Sequence, residues 1–295
     1  MGVGYAQAKF FLDAKKNNIN FSQTATVGRL FSYLNDNDIT SLKTDFDGTN
    51  FSKQDVSNKY VDTFFKSFLG AEDLTAIDFS DYEGAQIIHD MNSPIGSDLH
   101  QQFDAVIDGG SLEHIFNFPV AIENCMNLVK TGGSLFICTM ANNHCGHGFY
   151  QFSPELMFRI FQPENGFIIE KVVLELHPYP GGELTSDHAI YRVNDPAEVG
   201  GRVGLVTSSP TMMMVHARKI EHIKPFATYP LQSDYSTVWT DAASSDQSNS
   251  PSRSLKQRIR SKIFRSLPQK VQSYVLGHLQ LRHYSIKNQT FYTRE

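Results

Sequence analysis

Between Thr24 and Ile220, short apolar runs alternate with stretches of helical spacing. This alternation constrains the fold more than any other feature of the chain. The runs TATVGR (Thr24 to Arg29), LTAIDF (Leu74 to Phe79), AQIIHDM (Ala85 to Met91), FDAVIDG (Phe103 to Gly109) and GSLFICTM (Gly133 to Met140) read as strands. They have the length and β-branched content of strands buried on both faces. YVDTFFKSFL (Tyr60 to Leu69) has helical spacing. PVAIENCMNLVK (Pro119 to Lys130) begins with Pro at a first helical position and stops at Thr-Gly-Gly, with Ile122, Cys125, Met126 and Val129 on one face. Ser153-Pro154-Glu155 opens a further helix, with Ser as its N-cap. Strands alternating with helices of this length predict a parallel sheet covered on both faces, with ligands at the carboxyl ends of its strands. Late in the chain, Phe167 to His177 and Pro210 to Ile220 are longer runs with no helix expected between them, so they predict a closing antiparallel pair. The expected fold is therefore α/β, a doubly wound and mostly parallel sheet with an antiparallel C-terminal strand pair, followed by a basic helical tail.

Charge divides the chain. From Pro251 to Glu295 there are ten lysines and arginines against one acid, which leaves −14 on the rest of a chain whose net charge is −5. The stretch before that tail is serine-rich and has no apolar period, so it reads as a linker. The expected division is one domain over residues 1–232, a linker over 233–254 and a basic amphipathic tail over 255–295. In the tail Leu255, Ile259, Ile263, Phe264 and Leu267 recur at helical spacing, and Val271, Tyr274, Val275 and His278 resume after Pro268. Such a helix docks on its own acidic domain or on a partner subunit, the favoured reading, or else lies on an anionic membrane surface or contacts nucleic acid. The overall acidity argues against bulk nucleic-acid binding. Three cysteines (Cys125, Cys138, Cys145) do not make a disulfide framework, and no signal peptide or transmembrane run is visible. A cytoplasmic protein is expected.

Acids stand at successive strand ends: Asp78, Asp90 and Asp108. A carboxylate in such a place accepts hydrogen bonds from a ribose diol or from an exocyclic amine. In this context FDAVIDGGSLEHIFNFPVAIENCMNLVKTGG (Phe103 to Gly133), ANNHCGHGFYQFSPELMFRIF (Ala141 to Phe161) and DPAEVGGRV (Asp195 to Val203) resemble a bacterial branch of the class I S-adenosylmethionine (SAM) dependent methyltransferase superfamily. The resemblance spans about Gln23 to Ile220 and includes the Leu112-Glu113-His114 triplet frequent in small-molecule methyltransferases of that superfamily.

The resemblance implies a Rossmann-like methyltransferase fold with SAM as cofactor. It implies that Asp78 holds the ribose, that Asp90 and Met91 sit at the adenine with Phe79 on its face, and that Asp108, Gly109 and Gly110 line the methionine end. The superfamily's glycine-rich turn is reduced here to Val27-Gly28-Arg29-Leu30. Gly28 allows one close backbone approach, and Arg29 is expected to pair with the cofactor carboxylate. Acceptor chemistry is expected in the loop after the fifth strand. There His147 or His144 is the candidate base, His114 and Tyr150 are further catalytic candidates, and Asn142, Asn143 and Gln151 orient substrate. His144, Cys145 and His147, with Glu113 or His114, are metal-ligand types, but no C-x-x-C or H-E-x-x-H spacing accompanies them and no metal is expected. The reading is SAM-dependent O- or N-methylation of a small-molecule or saccharide acceptor. Its alternative is a catalytically silent methyltransferase-like binding module tethered by the basic tail.

Overall fold

The computed structural model describes residues 2–46, 59–177, 189–235 and 264–295. Its centre is a nine-stranded sheet. The first strand of the sheet is β2 (Gln23–Val27), preceded by a two-residue strand β1 (Gly2–Val3) and helix α1 (Tyr5–Lys16). There follow β3 (Phe31–Ser32), α2 (Asp36–Asp45), the short α3 (Asp62–Phe64) running into a wide turn Phe65–Leu69, then β4 (Asp73–Asp78), β5 (Ile87–Ile88) and β6 (Phe103–Asp108). Helix α4 (Phe118–Leu128), β7 (Val129–Asn142), α5 (Pro154–Ile160), β8 (Phe167–Leu176), β9 (Ala189–Val193), α6 (Pro196–Val199), β10 (Thr211–Lys219), α7 (Gln269–His283) and β11 (Tyr292–Arg294) complete the chain.

Across the sheet the order is β5-β4-β2-β6-β7-β10-β8-β9-β11. The pairings from β5 through β7 are parallel. Strand β10 inserts antiparallel between β7 and β8. Only β9 and β10 run against the other strands of the sheet. The expected doubly wound, mostly parallel sheet with an antiparallel C-terminal pair is the observed one. Strand β10 thus lies antiparallel beside β7, the fifth parallel strand, as the resemblance to the class I methyltransferase superfamily implies.

Side chains alternate between two cores with the strand period of two. Val106, Leu135, Ile137, Met213 and Val215 face the helices α4 and α5, beside Ile122, Cys125, Met126 and Met157. Ala105, Ile107, Phe136, Cys138 and Met214 face α1 and the turn after α3, beside Phe10, Phe11, Phe64, Phe65 and Phe68. Helix α1 went unforeseen in the sequence, yet Phe11 is fully buried and meets Phe136 edge-on at 5.5 Å.

Several local expectations are corrected. Helix α4 does not stop at Thr-Gly-Gly; it ends at Leu128, and Val129 is already extended. The buried Lys219 explains the early stop, because its ammonium donates to the carbonyls of Met126 and Val129 at 2.8 and 2.9 Å and satisfies the helix end. Burial alone lowers its pKa to about 8. The glycines instead serve the sheet: a Cβ on Gly133 would stand 2.7 Å from the Asp104 carbonyl oxygen. The run Ala85 to Met91 yields only the two-residue β5. Strand β9 and the short α6 lie between β8 and β10, where no element was expected.

The tail is not a detached appendage. Helix α7 has no buried residue, but Phe291 and Tyr292 beyond it are 3% and 2% exposed and β11 pairs with β9. The apolar side chains of Phe291 and Tyr292 return the chain to the core, so the sheet domain includes its end. Most of the expected linker and the positions Leu255, Ile259 and Ile263 lie outside the described residues. Cys125 and Cys138 are buried and free, and Cys145 is exposed and free. Among the described residues, no helix is long and apolar enough to cross a membrane.

Candidate functional site

The carboxyl ends of β2, β4, β6 and β7 share one edge of the sheet. The turn after β2 is joined to its neighbours by short bonds. Gly28, at φ +78°, donates its amide to the Ile77 carbonyl at 2.7 Å, and Ser111 donates its hydroxyl to the Val27 carbonyl at 2.5 Å. Asp78 closes the same corner: its carboxylate accepts from the amides of Arg29 at 3.2 Å and Phe79 at 2.7 Å. Gly28 and Asp78 are thus adjacent, one residue past the paired Val27 and Ile77 of β2 and β4.

The other expected cofactor residues are placed less uniformly. Phe79 is 73% exposed. Asp90 accepts from the Asn92 amide and side chain, and those bonds hold its carboxyl below the usual range. Met91 is a core residue, with its carbonyl held by the Asn124 amide at 3.3 Å, so its side chain packs under α4 instead of forming an open adenine wall. Arg29 is also reassigned. Its guanidinium binds Asp62 at 2.9 Å and lies 4.6 Å from the centre of the Tyr60 ring, in place of the expected carboxylate of a ligand. Asp62 supplies the anion that Arg29 requires from within the fold.

Asp108 is fully buried at the end of β6. One of its oxygens accepts from the amides of Ser111 and Leu112, at 2.8 and 3.2 Å, and the other has no hydrogen-bond partner among the described residues. Burial, reinforced by the neighbouring Glu113 charge, pushes its carboxyl well up, while these amides oppose the shift. Gly110 follows at φ +101°, and the Gly109 carbonyl accepts from the Gly2 amide at 3.1 Å.

The loop after β7 is keyed to the turn Leu112–His114 after β6. Phe149 and Tyr150 donate their amides to the Glu113 carbonyl at 2.7 and 3.2 Å. Gly148, at φ +68°, allows that approach, since a Cβ there would stand 2.7 Å from the same oxygen. Several polar residues of the loop are engaged in holding it. The Asn143 amide group donates to the carbonyls of Thr207 and Ser209, Gln151 accepts from the His144 amide, and Tyr150 donates to the Phe116 carbonyl. These groups were expected to contact substrate; their geometry instead fixes the loop. Asn142 accepts from the Asn143 amide at 3.0 Å.

Within that frame three histidines gather. The His147 ring centre lies 4.9 Å from that of His114 and 6.3 Å from that of His144. Nε2 of His144 is buried with no hydrogen-bond partner among the described residues, and burial lowers its pKa, followed by the charges of His147 and His177. Nε2 of His147 is 3.6 Å from Oε1 of Glu113. Glu113 is fully buried, and its other oxygen accepts from the Thr139 hydroxyl at 2.8 Å. Cys145 is not part of this group. The sequence showed Glu113 as part of a triplet, but its pairing with Thr139 and His147 joins positions far apart in the chain and has no local signature.

No family model matches the chain, and no curated protein matches it. Solved structures do. The 1,6-didemethyltoxoflavin-N1-methyltransferase of Burkholderia thailandensis, crystallised with its substrate and S-adenosylhomocysteine, is 12% identical over 74% of this chain and 78% of its own, with a TM-score of 0.39. A possible histamine N-methyltransferase of Thermotoga maritima is 12% identical over 72% of this chain and 89% of its own, with a TM-score of 0.40. A putative methyltransferase of Bacillus halodurans is 12% identical over 71% of this chain and 99% of its own, with a TM-score of 0.39. The strand order described above, and not these distant likenesses, carries the fold.

Proposed function

We propose that this protein is a SAM-dependent methyltransferase acting on a small-molecule or saccharide acceptor at oxygen or nitrogen. The observation that carries the reading is the corner where the positive-φ Gly28 turn meets the Asp78 carboxylate, at the adjoining carboxyl ends of β2 and β4. In this reading Asp78 takes the ribose hydroxyls and Asp90 the adenine amine, while the backbone of Gly28, Gly109 and Gly110 carries the methionine end. SAM has no phosphate, so a turn with one glycine suffices for close approach without an anion cradle.

Methyl transfer is an in-line displacement at the sulfonium carbon. When bound, SAM would supply the sulfonium methyl, with S-adenosylhomocysteine as the leaving group, and the acceptor's proton would pass to a base held by this chain. His144 fits the base best, because burial favours its neutral form and its Nε2 has no hydrogen-bond partner among the described residues. His114 and His147 face the same loop and orient the acceptor. The free cysteines suit a reducing cytoplasm.

A second reading has its own observation. The Gly109 carbonyl is already taken by Gly2, and Leu30 packs so closely that a Cβ on Gly109 would be 2.8 Å from its Cδ2. Gly2 and Leu30 thus already pack on Gly109 at the end of β6, which favours a catalytically silent binding module. Calorimetric titration with S-adenosylhomocysteine separates the two: saturable binding supports the enzyme, and no binding at millimolar ligand sinks it.

A further inference from the structure

The geometry points to a divalent transition-metal site formed by Glu113, His114 and His147, at the carboxyl end of the sheet. Each residue offers one donor atom, and these atoms all lie within 4.8 Å of one another. The donor set is one carboxylate oxygen and two imidazole nitrogens, which suits a zinc-type dication. Donors around such an ion stand about 2.0–2.2 Å from it, so the three must close inward by about 1 Å. Two of them can do so. His114 is exposed and His147 is 42% exposed, so both rings are free to turn, while Glu113 is fixed.

The second observation is Glu113 itself. It is wholly buried, and its Oε1, the oxygen that faces His147, has no hydrogen-bond partner among the described residues. A buried carboxylate oxygen left without a donor is costly unless a cation or a donor completes it. Its other oxygen is held by the Thr139 hydroxyl at 2.8 Å, the kind of outer contact that orients a metal-binding carboxylate. The backbone agrees: the Gly148 turn and the two amides on the Glu113 carbonyl bring His147 to this oxygen and keep it there. Three protein donors leave at least one coordination position open toward solvent, as in sites that bind a reactant oxygen.

The site stands on this geometry and does not depend on methyl transfer, which the S-adenosylhomocysteine titration decides separately. To test it, the full chain is stripped with chelator and titrated with Zn2+ by calorimetry and with Co2+ by visible absorption. One equivalent should bind saturably, with ligand-field bands for Co2+. His114→Ala and His147→Ala should each weaken binding at least tenfold. Thr139→Val should weaken it by about tenfold through the loosened Glu113. Glu113→Gln should abolish it; if that variant fails to fold, the two histidine variants decide. The inference is overturned if neither ion binds saturably below millimolar concentration, or if both histidine variants bind as the wild type does.

Discussion

Oε1 of Glu113 lies 3.6 Å from Nε2 of His147, although the carboxylate is completely buried and the imidazole is partly exposed. The contact joins the turn after β6 to the loop after β7, and Thr139 on β7 holds the far side of the same carboxylate. Removing that hydroxyl leaves a buried carboxylate oxygen without its donor. Thr139→Val should therefore cost about 1–3 kcal/mol of stability, and Thr139→Ser should recover most of it. Chemical denaturation of the three proteins checks this. Equal midpoints for Thr139→Val and wild type would show that the hydroxyl contributes nothing.

Gly148→Ala tests the loop itself. The residue sits at φ +68°, and its new Cβ would meet the Glu113 carbonyl oxygen at 2.7 Å. Backbone atoms cannot yield as a flexible side chain does, so the loop must move. The expected loss is about 1–3 kcal/mol, with the His147 imidazole resonance shifted and S-adenosylhomocysteine affinity unchanged. An unperturbed His147 resonance would mean that this loop is not anchored through Gly148.

How much of this was legible in the sequence follows from where the information is local. Apolar runs marked β2, β4, β6, β7, β8 and β10 because a strand buried on both faces must be apolar nearly throughout. The Ser153 cap was legible too, and its hydroxyl accepts from the Leu156 amide. The stop of α4 has no local signal because Lys219, on a strand some ninety residues later, takes the Met126 carbonyl of its last turn and the Val129 carbonyl just beyond it. Helix α1 has a weak sequence signal because its buried face is mostly small or polar: beside Phe10, Phe11 and Leu12 it buries Ala6, Gln7, Ala8 and Ala14. In the site, the residue types of the loop after β7 were visible, but their uses were not. Asn143 and Tyr150 bind backbone carbonyls of distant segments, and Glu113 meets Thr139 only once β6 and β7 pair.

Asp78→Ala is the direct test of the assignment of strand ends to cofactor. The side chain holds the turn after β2 through the Arg29 amide, and in the proposed function it also takes the ribose. Its loss should weaken S-adenosylhomocysteine binding by at least about tenfold, the value of one or two charge-assisted hydrogen bonds. Arg29→Ala, by contrast, removes a partner of Asp62 and should lower stability while changing affinity little. Normal binding by Asp78→Ala would place the ribose elsewhere.

Acid should destabilise the fold through His216. This residue is 7% exposed, lies 3.0 Å from the Ser134 hydroxyl and stacks on Phe136 with ring centres 4.4 Å apart. Burial lowers its pKa to about 4, with Glu170 opposing the shift and Arg218 and Lys171 adding to it. In the unfolded chain the imidazole takes up its proton near its ordinary value of about 6.5, while the folded protein refuses it until about pH 4. Below about pH 6.5 the unfolded state thus binds more protons, so stability falls with pH until about 4 and is constant above 7 as far as this group is concerned. Between pH 7 and 4.5 the loss should be about 2 kcal/mol. In His216→Gln, which keeps a polar group opposite Ser134, the pH dependence should be shallower by that amount. Denaturant titrations of both proteins at the two pH values measure the difference, and parallel losses would show that His216 titrates as an exposed histidine does.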